Sequence, residues 1–356
     1  MRMKELFDLI SEGCRVTPEE LLELYNHASL TELGSLANAI RMKKHPESVV
    51  TFVVDRNINY TNICTCQCRF CAFYAKTGDE GGYVLTREAF AQKIQETLDL
   101  GGTQILLQGG MNPDLDMAWY EDLLRWMTES FPIHVHGFSP PEIAWLAQQS
   151  DLSIPETVSR LHKAGLKSIP GGGAEILVDE VRSVVSPNKC DADTWLEVMR
   201  QAHLLGMRST ATMMFGHLES PEQLVQHLVR IRELQDETGG FTAFIPWTFQ
   251  PNHTELEAEA TKASSDTYLR VLALSRIFLD NVDNIQASWV TQGEKIAQVA
   301  LFFGANDMGS TMIEENVVAA AGVDHMLPKE ELIRVVKGGG FTPVQRDCFY
   351  TSLKAF

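Results

Sequence analysis

The sequence is poor in basic residues and has no basic tract. Its 30 lysines and arginines stand against 47 aspartates and glutamates, which gives a formal net charge of −17 and a pI near 5.0. Nucleic acids and anionic membranes attract cationic surfaces, so this charge argues against binding to either. No apolar run approaches the ~20 residues that span a bilayer, and the acidic residues after Met1 do not fit a signal peptide. We therefore expect a cytoplasmic protein with neither a nucleic-acid nor a membrane partner.

Cysteines are few, and four of the seven are crowded between residues 64 and 71. An odd number of cysteines suits a reducing compartment better than a disulfide framework. A structural zinc site usually takes two separated pairs, and the sequence has no second pair. Cys64, Cys68 and Cys71 follow the spacing C-x3-C-x2-C. Electron carriers hold iron–sulfur clusters with four thiolates, so three cysteines predict a cluster with one iron open to a small molecule.

Cys66 lies inside the same run and would nominally complete a set of four thiolates. Residues two apart in an extended loop tend to point in different directions, so we interpret Cys66 as a bystander. The other three cysteines, Cys14, Cys190 and Cys348, are scattered along the chain. We interpret them as buried or partly exposed thiols without a role in a site.

The chain also lacks linkers, low-complexity segments and short internal repeats, which favours one domain overall. Strand-like and helix-like segments alternate from about residue 49. The predicted strands are 49–54, 103–108, 133–138, 166–170, 209–215, 241–249, 284–289 and 301–305. Eight such units predict an α/β fold of the (β/α)8 TIM-type barrel class, with an open doubly wound sheet as the alternative. We expect a helical extension over 1–48, the barrel over 49–325, and a C-terminal helix with a possible active-site lid over 326–356.

On a barrel, functional groups lie at the carboxyl ends of the strands. Gly109 and Gly110 follow a predicted strand and suit either a tight turn or close approach of a ligand. Glu175 ends a glycine-rich turn, where it is either a solvated acid or a ligand of a ribose hydroxyl. His136 and His217 are either packed core groups or proton-transfer groups.

The cysteine loop, the Gly109–Gly110 segment and the runs 138–142, 170–175, 212–217, 241–247 and 304–307 together carry a family resemblance. The chain resembles the radical S-adenosylmethionine (SAM) enzymes of the menaquinone futalosine pathway and the related deazaflavin synthases. The resemblance implies a 4Fe–4S cluster held by Cys64, Cys68 and Cys71, with SAM on the open iron. A reducing electron donor of the flavodoxin or ferredoxin type and a small-molecule nucleoside substrate are implied with it.

The resemblance also implies roles for residues of the strand-end loops. The implied SAM contacts are Phe70, Gln108, Gly109, Gly110, Ser139, Glu175 and Lys189. The implied substrate contacts are Trp247, Phe249, Trp289, Asn306, Asp307 and Arg346. The candidate proton-transfer groups are Glu175, His217, Glu219 and His136. Core packing remains the alternative for the aromatic residues, and an outer tail remains the alternative for the lid.

The implied reaction is abstraction of the ribose C4′ hydrogen of a nucleoside, followed by ring closure onto a benzoate ring. Sister enzymes of the branch, which act on an enolpyruvyl ether or on tyrosine and a diaminouracil, are the nearest alternatives. A non-catalytic iron–sulfur electron carrier is the alternative from a different class.

Overall fold

The structure, a computed structural model, describes residues 3–356. Three helices come first: α1 (Met3–Ser11), α2 (Pro18–His27) and α3 (Leu30–Lys44). Thr17 caps α2, because its hydroxyl accepts from Glu20 N at 3.2 Å while Glu20 Oε2 accepts from Thr17 N at 2.9 Å. Thr17 and Glu20 thus form a capping box at the start of α2.

Seven parallel strands, paired in chain order, form the larger sheet. They are β2 (Asp55–Asn59), β3 (Gln104–Gln108), β4 (His134–Gly137), β5 (Ser168–Ile169), β6 (Arg208–Phe215), β7 (Phe241–Thr248) and β8 (Asn284–Ile285). The helices that follow these strands are α4 (Arg87–Asp99), α5 (Met117–Ser130), α6 (Pro140–Gln149), α7 (Ile154–Ala164), α8 (Asp179–Val185), α9 (Ala192–Leu204), α10 (Pro221–Thr238), α11 (Ser265–Phe278) and α12 (Trp289–Ala300). Since parallel strands need crossover connections, the helices cover the outside of the curled sheet.

A four-stranded sheet completes the ring. It contains β1 (Val49–Val53), β9 (Asp307–Ser310), β10 (Thr342–Arg346) and β11 (Ser352–Ala355), and α13 (Lys329–Gly338) precedes β10. β1 pairs in parallel with both β9 and β10, and it continues through Val54 into β2. Asp307 of β9 also forms a parallel bridge with Gln286, just beyond β8. The parallel strands thus return to their start, and the predicted TIM-type α/β class is confirmed.

Several predicted strands differ from the structure. Those predicted over 166–170 and 284–289 shrink to Ser168–Ile169 and Asn284–Ile285, and α12 begins at Trp289. The first strand continues past residue 54 to Asn59, because its polar side chains face an enclosed polar interior. The strand predicted over 301–305 is wrong. Residues 301–304 form a turn, and Gly304 has φ of +106°, which breaks the extended backbone; the strand begins only at Asp307.

Within residues 3–356, no helix combines the length and the apolar character needed to cross a bilayer.

Candidate active site

A cavity of about 280 Å³ lies inside the ring of strands, in the size range of small-molecule sites. Alternating side chains of the parallel strands line it: Asp55 and Asn57 from β2, and Gln104, Leu106 and Gln108 from β3. The opposite wall comes from the later strands and their loops, including Thr212, Trp247, Ser288 and Trp289. The cavity therefore combines an aromatic wall with several polar groups.

Two amide side chains in the cavity have unused acceptors. Gln104 Nε2 donates to Asp55 Oδ2 at 2.7 Å, and Asn57 Nδ2 donates to Glu315 Oε2 at 3.1 Å. Because each NH₂ group must face its carboxylate, the amide orientation is fixed. Among the described residues, Gln104 Oε1 and Asn57 Oδ1 then remain buried without a partner. Buried acceptors of this kind call for donors from a ligand.

Burial sets the protonation of the cavity floor. It raises the pKa of Asp55 to about 6, against the hydrogen bonds from Ser310 and Gln104. It lowers the pKa of His136 to about 3, so the imidazole is neutral at neutral pH. His136 Nδ1 lies 2.7 Å from Ser168 Oγ, which is itself 3.2 Å from the thiol of Cys348.

Glu175 connects the cavity to the cysteine loop. Its carboxylate lines the cavity, and its backbone has a left-handed φ of +42°, an unfavourable conformation for a residue with a side chain. Lys189 Nζ lies 3.0 Å from Glu175 Oε1, and Arg182 Nη1 donates to Glu175 Oε2 at 3.4 Å. Lys189 also lies 4.9 Å from the centre of the Phe70 ring. A buried chain of contacts thus runs from Phe70 through Lys189 to the cavity.

The cysteine loop follows β2 and is buried against Met111. Cys66 and Cys68 are 2% and 5% exposed, and Cys64, Phe70 and Cys71 pack against the same cluster. Cys66 Sγ lies 2.9 Å from Met111 Sδ and 3.3 Å from Asn188 O, and its single proton serves one acceptor at a time. Hydrogen bonding from Cys66 lowers the pKa of both Cys64 and Cys68, although burial opposes it.

The donors of this loop suit an iron–sulfur cluster. Over the part of the chain that the structure describes, no three His, Cys, Asp or Glu side chains converge tightly enough to enclose a metal ion. The loop nevertheless brings together thiols only. The pKa values of Cys64 and Cys68 are lowered, whereas burial raises the pKa of Cys71. Thiolates are the ligands that such clusters require.

The glycine pair after β3 lies directly against the cysteine loop. A Cβ on Gly109 would stand 2.5 Å from the Tyr60 ring, and one on Gly110 would stand 2.1 Å from Ile63 O. Any side chain would force these segments apart, which explains why glycine occupies both positions. Gln108 lines the cavity beside the pair, whereas the Ser139 hydroxyl is bound to Glu142 at 2.5 Å.

Several predicted site residues lie outside the cavity. His217 has a fully buried side chain whose ring nitrogens lie 3.1 Å from Met214 O and from Glu219 Oε2. Phe249 packs against the His217 ring, with a centroid distance of 6.2 Å. Asn306 Oδ1 accepts from Arg276 at 2.6 Å. Asp307 is fully buried and does not line the cavity. Its carboxylate accepts from the Arg346 guanidinium at 2.6 and 3.0 Å, and Arg346 does line the cavity.

Sequence reasoning did not single out Asp55, Gln104, Arg182 or Glu142 as site residues. Asp55 and Asn57 alternate with other residues directly after an apolar strand, and this pattern could have indicated a strand facing a polar cavity. We interpreted the polar residues as the end of the strand. Arg182 donates to Ala174 O at 2.7 Å. The sequence around Arg182 does not distinguish it from a surface arginine.

Comparison with known proteins agrees with this architecture. The model of the radical SAM superfamily matches residues 58–231, and that of the CofH/MqnC C-terminal region matches residues 238–355. The chain is 46% identical to the cyclic dehypoxanthine futalosine synthase of Halalkalibacterium halodurans, covering 100% of this chain and 96% of that protein. It is 41% identical to the Streptomyces coelicolor protein of the same name, covering 99% and 89%.

A methanogen protein is also similar. The 5-amino-6-(D-ribitylamino)uracil–L-tyrosine 4-hydroxyphenyl transferase of Methanothermobacter thermautotrophicus is 41% identical, covering 95% of each chain.

Solved structures share the fold at low sequence identity. Methylornithine synthase superposes with a TM-score of 0.73 at 20% identity, covering 95% of this chain and 97% of that one. The hydrogenase maturase HydG from Carboxydothermus hydrogenoformans gives a TM-score of 0.77 at 17% identity, covering 98% and 80%. With the full-length relatives and both family models in agreement, the chain belongs to the radical SAM superfamily, in its CofH/MqnC branch.

Proposed function

We propose that this protein is a radical SAM cyclase that converts dehypoxanthine futalosine to cyclic dehypoxanthine futalosine in menaquinone biosynthesis. The observation that carries the proposal is the 46% identity, over the whole chain, to a protein of that name. The structure supports it with a cavity lined by Glu175, whose carboxylate binds Lys189 beside the Phe70 ring of the cysteine loop. All seven cysteines carry free thiols, which supports a reducing, cytoplasmic compartment.

In this proposal Cys64, Cys68 and Cys71 hold a 4Fe–4S cluster, and Cys66 assists by hydrogen bonding. When bound, the reduced cluster and SAM supply a 5′-deoxyadenosyl radical for hydrogen abstraction from the substrate. The chain's own task is to hold SAM and substrate together and to keep water away. A protein donor of the flavodoxin or ferredoxin type delivers the electron.

The SAM site that we propose lies between the cysteine loop and the cavity. Gly109 and Gly110 offer a backbone surface without side chains, and Gln108 continues it into the cavity. Phe70 and Ser139 border this region, and the ammonium of Lys189, which binds Glu175, would also meet the SAM carboxylate. Glu175 is placed where it meets a ribose hydroxyl.

The substrate occupies the cavity. The rings of Trp247 and Trp289 form an apolar wall for the benzoate ring. The sugar hydroxyls supply the donors that Asn57 Oδ1 and Gln104 Oε1 require. Arg346 faces the cavity while bound to Asp307, and we propose that it attracts the substrate carboxylate. Phe249, Asn306 and Asp307 support this wall from behind, and the segment after α13 closes the site.

Re-aromatisation of the new ring releases one electron and one proton. The electron would return to the cluster that the cysteine loop would hold, oxidised during SAM cleavage, and the proton needs an acceptor in the chain. Of the four predicted candidates, His217 and Glu219 bind each other outside the cavity. His136 lines the cavity, but with a pKa near 3 its imidazole is a weak base at neutral pH. Glu175 is the remaining candidate and lies at the boundary of the cavity and the SAM site, so we assign the proton to it.

The test is an anaerobic assay of the cluster-reconstituted protein with SAM, a strong reductant and dehypoxanthine futalosine, read by mass spectrometry. We expect 5′-deoxyadenosine together with a product two hydrogens lighter than the substrate. The same assay with tyrosine and 5-amino-6-(D-ribitylamino)uracil tests the methanogen activity, which the 41% identity keeps as the second candidate. Product from that pair alone would replace the cyclase proposal, and an absence of SAM cleavage would favour an electron carrier.

A further inference from the structure

Three successive strand-end loops converge on one buried carboxylate, that of Glu142. The Tyr60 hydroxyl, which follows β2, donates to Glu142 Oε1 at 2.7 Å. The Gly109 N–H, which follows β3, donates to the same oxygen at 3.1 Å. The Ser139 hydroxyl, which follows β4, donates to Glu142 Oε2 at 2.5 Å. One side chain therefore ties together the starts of the cysteine loop, the glycine pair and α6.

Helix capping alone does not account for this arrangement. Glutamate or glutamine occupies the third helical position after a Ser or Thr cap at α2, α3, α7 and α10, and there it accepts from the backbone N–H of the cap. Glu142 holds the same position in α6, and Ser139 caps that helix. Its Oε1 instead reaches inward to Tyr60 and Gly109. The sequence pattern is the same, but the carboxylate is used differently.

The buried position of Glu142 is costly. Glu142 is 6% exposed and Tyr60 is fully buried. Burial raises the pKa of Glu142 to about 7, against the hydrogen bonds from Ser139, Tyr60 and Gly109. Buried carboxylates are tolerated when several donors are aimed at them, and they then fix those donors in place.

The contacts around Glu142 pass directly to the cysteine loop. Gly109 lies against the Tyr60 ring, and Gly110 lies against the Ile63 backbone. Gly110 N donates to Thr61 O at 2.9 Å, and Thr65 N donates to Met111 O at 3.1 Å. Glu142 thus holds Tyr60 and Gly109, and their neighbours Thr61 and Gly110 bond to each other beside the cysteine loop.

We propose that Glu142 is a positioning residue for SAM: it holds the glycine pair and the cysteine loop at the separation that the SAM site needs. It acts through Gly109 and Tyr60 and does not touch SAM. This inference rests on the SAM site of the proposed function, but not on the identity of the nucleoside substrate.

The test compares reconstituted Glu142→Gln with Glu156→Gln, a matched variant at the exposed capping glutamate of α7. Gln keeps the size of the side chain but weakens the charged hydrogen bonds, so we expect the KM for SAM to rise about tenfold or more in Glu142→Gln. The KM for the nucleoside and the iron content should stay at parental values. Hydrogen exchange of the holoenzyme should quicken in residues 60–75 and 108–112 and stay unchanged in α7. Glu156→Gln should match the parent throughout.

An unchanged KM for SAM in Glu142→Gln would overturn the proposal. An equal rise in the KM for SAM and the KM for the nucleoside would also overturn it, because it would indicate a general loss of structure in the active site. If Glu142→Gln does not fold, Tyr60→Phe removes one donor only, and it should raise the KM for SAM with the nucleoside KM constant. SAM affinity is also measured by equilibrium dialysis and by 5′-deoxyadenosine release without nucleoside. The test therefore remains valid if the nucleoside substrate has been wrongly assigned. If the unsubstituted protein does not bind SAM, both the proposed function and the role of Glu142 are wrong.

Discussion

At the scale of single residues, the polar groups of the cavity are controlled by burial more than by the net charge of the molecule. His136 is held neutral, and Asp55 tends to keep its proton well above the usual range of an aspartate. Both effects follow from the cost of placing a charge in a low-dielectric interior. These two side chains therefore carry less charge near pH 6 than they would in water.

The pH dependence of stability tests the protonation of Asp55. Its pKa of about 6 in the folded state exceeds the ordinary value, so the folded protein retains a proton that the unfolded chain loses. The stability should then fall as the pH rises from about 4 to about 6, by up to about 3 kcal/mol, and stay level above that. Asp55→Asn removes this dependence. Its stability relative to the parent should therefore be greater at pH 7 than at pH 5.

Denaturant unfolding of the reconstituted proteins at several pH values measures this difference. Asp114→Asn, at an exposed aspartate, is the control and should follow the parent. A difference between Asp55→Asn and the parent that does not change with pH would show that Asp55 is ionised in the fold.

Residues with strong local signals were identifiable from the sequence, and residues defined by tertiary packing were not. The cysteine spacing and the glycine pair stand out because few structures tolerate them. Glu142 has no local signature of its role, since its inward contacts join loops that are distant in sequence. His217 was a candidate proton-transfer group, but Gly216, with φ of +87°, turns the chain before it, and His217 does not line the cavity.

At the scale of elements, β10 is attached to the barrel by an ion pair as well as by strand pairing. Arg346 binds both oxygens of Asp307, which also accept from Thr51 Oγ1 at 2.5 Å and from Gly309 N at 2.7 Å. This cluster joins β1, β9 and β10 at the point where the ring closes. A buried ion pair becomes costly when one partner is lost.

Arg346→Met should destabilise the protein by about 3–5 kcal/mol, because it leaves the Asp307 carboxylate buried without its cation. Adding Asp307→Asn should recover part of the loss. Arg334→Met is the matched control: Arg334 also pairs with carboxylates, but its side chain is 61% exposed, so the cost should stay below about 1 kcal/mol. The stability of Arg346→Met, of the double variant and of Arg334→Met is measured from the midpoint of denaturant unfolding. Equal losses for Arg346→Met and Arg334→Met would contradict the role of the ion pair.

The order of elements was predictable because hydrophobic segments alternate with capped helices, but the ends of strands were not. The strand after residue 54 is polar, and only the enclosed cavity makes polar residues compatible with a buried strand. The apolar run at 301–305 forms a buried turn. Hydrophobicity alone does not distinguish a buried turn from a strand. The pairing of β10 with β1 depends on distant residues and has no local signature.

At the scale of the whole molecule, the N-terminal helices are part of the barrel wall. Arg270 of α11 donates to Tyr25 O and Ala28 O at 3.1 and 2.8 Å, and Arg41 of α3 donates to Val49 O at 3.0 Å. Leu33 and Ala37 of α3 are fully buried. The extension therefore covers apolar surface that the barrel would otherwise expose.

A chain beginning at residue 46 should be insoluble or unfold at a much lower temperature, because removal of α1–α3 uncovers this surface. The intact protein should unfold in a single transition. Calorimetry and size-exclusion chromatography of the reconstituted proteins distinguish the outcomes. A truncated chain with the parental melting temperature would show that the helices are a separate unit.

The pairing of Val49 with Thr342 has a consequence for biosynthesis. β1 leaves the ribosome early but must wait for nearly all later elements before its partner strand exists. Arg346, Cys348 and Tyr350, which form part of the cavity wall, arrive with that late partner. Until then the barrel is an open ring with exposed strand edges, and it cannot enclose a substrate. The substrate cavity is thereby completed only in chains that have been made almost to their full length.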